Sequence, residues 1–136
     1  MSNSFKHIEV DLKPHCLVIE ICAGALNDLD LSHAIASEIR RAARESNHSN
    51  LVLDLRNVQI LTSAGLVLFV KVLKSASEAG GRVAVCRASA SVADVLRICR
   101  LVVDDPLRSD QLTKFKDSEA ATAWFAEIAS ANDRRS

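Results

Sequence analysis

Two hydroxyls and a glycine in the stretch ILTSAGL are the residues best placed to do chemistry: Thr62, Ser63 and Gly65. Upstream, LVLDLRNVQ (51–59) reads as a strand and a short loop. Downstream, VLFVKVLKSASEAGG (67–81) reads as a helix and its stop. A hydroxyl at the start of a helix has three uses. It can cap, accepting a hydrogen bond from one of the backbone N–H groups that a helix start leaves unpaired. It can accept a phosphoryl group, whose added charge of nearly −2 is tolerated beside a helix N-terminus. It can act as a nucleophile, but the nucleophile elbow needs G-x-S-x-G, and Leu61 stands where the first glycine should be. Phosphate-cradling motifs of the G-x-G-x-x-G and G-x-x-x-x-G-K types are missing as well. Capping and modification therefore both stay open for Ser63, and the protein is not expected to be an enzyme.

The elements around the junction say where these hydroxyls must lie. LVLDL (51–55) and RVAVC (82–86) are nearly continuous apolar runs, as expected of parallel strands covered on both faces. A helix that follows such a strand starts at the carboxyl edge of the sheet, the edge that faces ligands and partners. Gly65 beside the hydroxyls would keep side-chain bulk low, so that a partner's backbone could approach. The helix itself places Leu66, Phe69, Val70, Leu73 and Ala76 on one face, and Gly80 and Gly81 supply a left-handed stop.

Other segments complete the pattern. HIEVDL (7–12) and CLVIEIC (16–22) read as strands joined by a turn at Lys13, Pro14 and His15. The first, with Ile8, Val10 and Leu12 on one face, has the alternation of an edge strand. Residues 30–46 have helical spacing, with an apolar stripe that includes Ile35 and Ile39. Residues 88–101 form another helix, with Ser91 and Asp94 at capping-box spacing and Val92, Val95, Leu96 and Cys99 on its apolar face. A turn region (102–111) and a short strand, LTKF (112–115), follow. Asp117 can cap a last helix that turns Ala121, Trp124, Phe125 and Ile128 inward, and 131–136 read as a flexible tail. The order β-β-α-β-α-β-α-(β)-α predicts an α/β fold.

Length and composition agree with one domain spanning 1–136: the chain has 136 residues, 49 % apolar and 25 % charged. Zero net charge, 4 % aromatic residues and no Tyr argue against a nucleic-acid surface. With no signal-peptide core and no apolar run near the ~20 residues of a membrane span, the expectation is a cytoplasmic protein that is not membrane-embedded. Cys16, Cys22, Cys86 and Cys99 each lie in or beside apolar segments and read as buried thiols. The four histidines lack metal-ligand spacing, so neither metal nor cofactor is expected.

The stretch from Leu51 to Leu101 resembles the core of STAS domains, the anti-sigma-factor antagonist family: a strand ending in V-L-D-L, a short connection, a D-S-[ST]-G-L-like turn opening a helix, then G-G, a strand, and a small-residue loop before the next helix. The resemblance covers residues 5–128. It implies a small mixed β-sheet of four to five strands with about four helices packed against it. It also implies a bacterial partner-switching regulator of transcription. In classical members a serine kinase that is also the anti-sigma factor phosphorylates the first Ser of the motif, and a serine/threonine phosphatase resets it. That Ser maps onto Ser63, with Thr62 a secondary candidate. The implied partner-binding surface comprises Asn27, Thr62, Ser63, Ala64 and Gly65. Two family carboxylates are replaced here, by Thr62 before the motif Ser and by Asn27 in GALND. The alternative reading is a non-switching STAS scaffold or an accessory subunit of a membrane transporter or signalling assembly.

Overall fold

The computed structural model describes residues 5–103 and 112–135. The element order is β1 (Ile8–Leu12), β2 (Leu17–Ile21), β3 (Ala25–Leu26), α1 (Leu29–Ser46), β4 (Leu51–Asp54), β5 (Ile60–Leu61), α2 (Ser63–Glu78), β6 (Val83–Cys86), α3 (Ala90–Ile98), β7 (Val102–Val103), β8 (Leu112–Phe115) and α4 (Ser118–Arg135). Five strands form the body of a mixed sheet, β1-β2-β4-β6-β8, with the two-residue β7 at its far edge. β1 is antiparallel to β2; β2, β4, β6 and β8 run parallel. β4 and β6 are adjacent and central, as the two continuous apolar runs predict.

Alternation of side chains between two covered faces explains why those runs are nearly all apolar, with the largely buried Asp54 the exception. On one face Leu17, Ile19, Ile21, Leu51, Leu53, Leu55, Val83 and Val85 join the main core, packed with Ile35 and Ile39 of α1 and Phe69 and Val72 of α2. On the other face Cys16, Val18, Val52, Ala84 and Cys86 meet Ala121 and Phe125 of α4. Phe125 is buried, while Trp124 and Ile128 are half-buried against the same cluster, so the aromatic pair packs onto the domain as expected. Rings of Phe115, Trp124 and Phe125 form a tilted run with centroids 5.3 and 4.8 Å apart, the offset geometry aromatic pairs favour.

Several sequence expectations need correction. The apolar face of α2 is rotated: Leu68 and Val72 are buried, whereas Val70 is exposed and Leu66 half-buried. In β1 only Ile8 is buried; Val10 and Leu12 are exposed. Cys16 and Cys86 are buried, and burial pushes the Cys86 thiol up to about 12. Cys22 and Cys99 are exposed. The cap of α3 is Ser89, whose Oγ accepts from Val92 N–H at 3.2 Å; Asp94 instead pairs with Arg97 at 2.8 Å. Within the expected turn region, Val102 and Val103 form β7, and 104–111 lie outside the described residues. α4 continues to Arg135, into the stretch expected to be a tail.

Helix ends are closed in one way three times. Asn47, Gly80 and Arg100 adopt positive φ (59°, 82° and 60°) after α1, α2 and α3. In each case the next residue's N–H reaches back to a carbonyl five positions earlier: His48 to Ala43, Gly81 to Ala76, and Leu101 to Leu96. This is the Schellman closure, in which the left-handed residue turns the chain and satisfies orphan carbonyls.

Candidate functional site

Thr62 and Ser63 stand where the chain turns from β5 into α2, at the carboxyl edge of the parallel strands. The local frame is a small parallel ladder, with Ala25 opposite Ile60 and Leu26 opposite Leu61. Thr62 N–H continues it, donating to Leu26 O at 3.1 Å. The ladder brings Asn27, which follows Leu26, to the side of Thr62 and Ser63. Asn27, Thr62 and Ser63 are all exposed. Of the other residues expected in the surface, Ala64 is half-buried and Gly65 is buried.

Burial of Gly65 changes its role. A Cβ there would fall 2.8 Å from both the carbonyl carbon and the Cβ of Leu26, and closer still to the Leu26 oxygen. The close approach that glycine permits is therefore to the chain's own β3 backbone. The first turn of α2 sits directly on that strand. A second tie comes from α1, where the buried Ser32 donates its hydroxyl to Ala64 O at 2.8 Å.

Ser63 is not the cap. The structure makes Thr62 the N-cap, with φ −114° and ψ 179°, and Ser63 the first helical residue. Thr62 makes no side-chain capping bond. Its carbonyl accepts from Gly65 and Leu66 N–H at 2.9 and 3.1 Å, so backbone geometry alone starts the helix. Both hydroxyls are thus left outside the hydrogen bonding of the described residues and point to no structural task.

Upstream, the loop that delivers β5 is held by charge. Glu20 accepts from Arg56 Nη2 at 2.9 Å and Nε at 3.2 Å, a two-point contact, and from Asn57 Nδ2 at 2.6 Å. These bonds, Arg56 first, hold the Glu20 carboxyl below its ordinary value. The largely buried Asp54 accepts from Arg56 N–H at 3.1 Å, and Gln59 N–H donates to Gly24 O at 2.8 Å. The loop 55–59 is clamped at both ends.

Around the hydroxyls the surface mixes apolar and acidic groups. Ile60 is 52 % exposed and Leu29 49 %. Asp28 caps α1, accepting from Leu31 N–H at 2.8 Å, and Asp30 lies in the first turn. Sequence reasoning missed Asp28 and Asp30 because it looked for carboxylates only at positions 27 and 62, and it missed Leu29 and Ile60 because it sought no apolar residue at this surface. The pair β3–β5 has two residues per strand, too few for any periodicity to register.

The chain matches the model of the STAS domain over residues 7–111 and belongs to that family. No curated protein sequence matches it. Among solved structures it is similar to an anti-sigma-factor antagonist (STAS) domain protein from Planctomyces limnophilus, with 21 % identity, 87 % of this chain and 96 % of that chain covered, and a TM-score of 0.69. The anti-sigma factor antagonist SpoIIAA in its unphosphorylated form, from Bacillus, aligns at 16 % identity over 84 % of this chain and 92 % of that one, with a TM-score of 0.63. The murine anion transporter Slc26a9 aligns at 13 % identity over 83 % of this chain but 18 % of its own, with a TM-score of 0.66. Among the described residues no helix is long and apolar enough to cross a membrane.

Proposed function

We propose that the protein is a non-enzymatic, cytoplasmic partner-switching regulator of the anti-sigma-factor antagonist type, with a docking surface centred on Ser63 and including Asn27, Thr62 and Ala64. One observation carries the reading: Thr62 and Ser63 expose hydroxyls at a helix start that the backbone closes without them. The partner is an anti-sigma factor that is also a serine kinase, and a serine/threonine phosphatase reverses its action. Transfer of the γ-phosphoryl of ATP to Ser63 Oγ, with loss of the hydroxyl proton, would place nearly two negative charges there. The first-turn N–H groups of α2 tolerate that charge. A partner docked on Ile60, Leu29 and the neutral hydroxyls would instead face an anionic patch, with Asp28 and Asp30 beside it. SpoIIAA, which shares the fold, exists in both an unphosphorylated and a phosphorylated form.

The non-switching reading draws on the Slc26a9 likeness and on the neutral residues at Asn27 and Thr62. Titration of the kinase partner against wild type, Ser63→Ala and Ser63→Asp separates the two. Switching requires Ser63→Ala to bind like wild type and Ser63→Asp to bind at least about tenfold more weakly, as a charge set into a neutral docking surface costs desolvation and repels like charge. Equal affinity of all three, with no phosphate mapped to Ser63 after incubation with ATP and the kinase, would transfer the assignment to a scaffold or transporter subunit.

A further inference from the structure

Among the described residues β1 is an edge strand, with β2 on one side only. The bonds at its two ends fix where its backbone points. Lys13 N–H donates to Cys16 O at 3.0 Å and Cys22 N–H donates to His7 O at 2.9 Å, so residues 7 and 13 turn their backbone groups toward β2. Bonded and non-bonded pairs alternate along an antiparallel ladder. Glu9, opposite Glu20, and Asp11, opposite Val18, therefore face β2 through their backbone as well. The N–H and C=O groups of Ile8, Val10 and Leu12 point the other way, out of the sheet, over about 13 Å of strand.

Side chains along this edge are sorted by face. Val10 and Leu12, 37 % and 61 % exposed, continue the rows of Ile19 and Leu17 of the main core into solvent. Glu9 and Asp11 are exposed on the opposite face. A depression of about 340 Å³ adjoins them there, lined by Glu9, Asp11, Glu20 and Asp54 against Arg56 and Arg87. Arg56 is already taken up by Glu20 at 2.9 Å, and Asp11 touches Lys13 at 3.1 Å in a solvent-exposed pair. Edge strands are commonly blunted by Lys or Pro, and IEVDL carries neither.

A second copy of the chain does not suit this edge. The symmetric antiparallel register that uses the outward groups of Ile8, Val10 and Leu12 on both strands sets Glu9 opposite Asp11 twice, and like charges directly opposite destabilise a pair. We infer that β1 takes up an extended segment of another protein in which apolar and basic residues alternate. Its backbone completes the outward hydrogen bonds of β1, its apolar side chains extend the rows of Val10 and Leu12, and its Lys or Arg side chains meet Glu9 and Asp11. Strand addition of this kind draws affinity from main-chain bonds and specificity from alternate side chains. The carboxylates that repel a second copy select the basic segment. No residue of the Ser63 surface takes part, and the inference does not rest on the switching reading.

The probe is a peptide of about nine alternating valines and lysines, blocked at both ends and long enough to overlap all of β1. Amide chemical-shift titration of the whole chain at low salt should show saturable binding with a Kd below about 1 mM, and shifts concentrated at Ile8–Leu12. A valine–glutamate peptide should bind at least about tenfold more weakly. Glu9→Gln/Asp11→Asn should lose as much for the lysine peptide, and both positions are exposed, so the fold survives the change. An extended strand presents alternate amides to opposite sides. N-methylation of one alternate set in the peptide should therefore abolish binding, and methylation of the other set should leave it intact. Equal effects of the two sets would reduce the contact to charge attraction and overturn the inference. Full affinity in the double variant, or shifts centred elsewhere, would overturn it too. So would sedimentation of the protein alone as a dimer that Leu12→Lys dissociates, as the edge would then belong to a second copy.

Discussion

The start of α2 differs from the starts of the other three helices. Asp28 closes α1 through Leu31 N–H at 2.8 Å, Ser89 closes α3 through Val92 N–H at 3.2 Å, and Asp117 closes α4 through Ala120 N–H at 2.8 Å. α2 begins at Thr62, a residue competent to do the same, and its side chain makes no such bond. Side chains hold three helix starts; the fourth is held by backbone and by the absence of a side chain at Gly65. A capping hydroxyl has one acceptor lone pair and its rotamer committed to the helix, which restricts how it can meet a partner. At α2 the structural task has passed to Leu26, Gly65 and Ser32, which leaves two hydroxyls free on the surface.

The largest effect should come from filling the seat on which α2 rests. Gly65→Ala would drive a methyl into the Leu26 backbone, which cannot retreat without breaking the β3–β5 ladder. We expect a loss of about 3 kcal/mol, at the upper end for overpacking, measured by urea unfolding. A loss below about 1 kcal/mol, within the ordinary range of single substitutions, would show that backbone fit does not hold this corner.

Cap deletions sharpen the comparison at intermediate size. Asp28→Ala, Ser89→Ala and Asp117→Ala should each cost about 1 kcal/mol, the usual value of an N-cap bond. Thr62→Ala and Ser63→Ala should cost no more than about 0.5 kcal/mol, as exposed substitutions away from such features do. If thermal denaturation finds Thr62→Ala as costly as Asp28→Ala, the contrast between the helix starts disappears.

The smallest effect concerns the loop that delivers β5. Glu20 has a folded-state pKa below its unfolded value because Arg56 and Asn57 bond its ionised form. Its stabilisation is therefore present above the ordinary carboxylate range and lost as pH falls through the lowered folded value. Glu20→Gln should narrow the gap to wild type progressively in acid, and added salt should shrink it near neutrality because Arg56 is exposed. A gap independent of pH between neutrality and acid would exclude the ion pair as its source.

Much of this architecture was legible in the sequence. The runs at 51–55 and 82–86 announced central strands because burial on both faces leaves few positions for polar residues, here only Asp54 and Arg82. Gly80 announced the end of α2 because its positive φ suits glycine. The short strand 112–115 and the Asp117 cap were read correctly for the same local reasons. What the sequence hid depends on contacts distant in the chain. Adjacent hydroxyls at 62 and 63 look alike as caps until the backbone angle of Thr62 decides between them. The bareness of Gly65 suggested an incoming partner, and only the position of Leu26 shows what already fills the space. Val70 was placed in the core by its spacing, but α2 is oriented by Leu68 and Val72 instead.

The seating of Gly65 on Leu26 also bears on how the corner is recognised. Ser63 is exposed, yet the amide before it is tied into a ladder and the residue two places on is wedged against a strand. The hydroxyl is presented on a rigid edge whose local opening would have to separate β3 from β5. A partner docking as proposed would meet a shape assembled from two stretches distant in the chain, Asn27 on one side and Ile60 and Ser63 on the other. A synthetic peptide carrying ILTSAGL would offer the same hydroxyls without Asn27, without Leu29 and without the fixed angle between them. The proposed epitope would be conformational, and it would cease to exist when the domain unfolds.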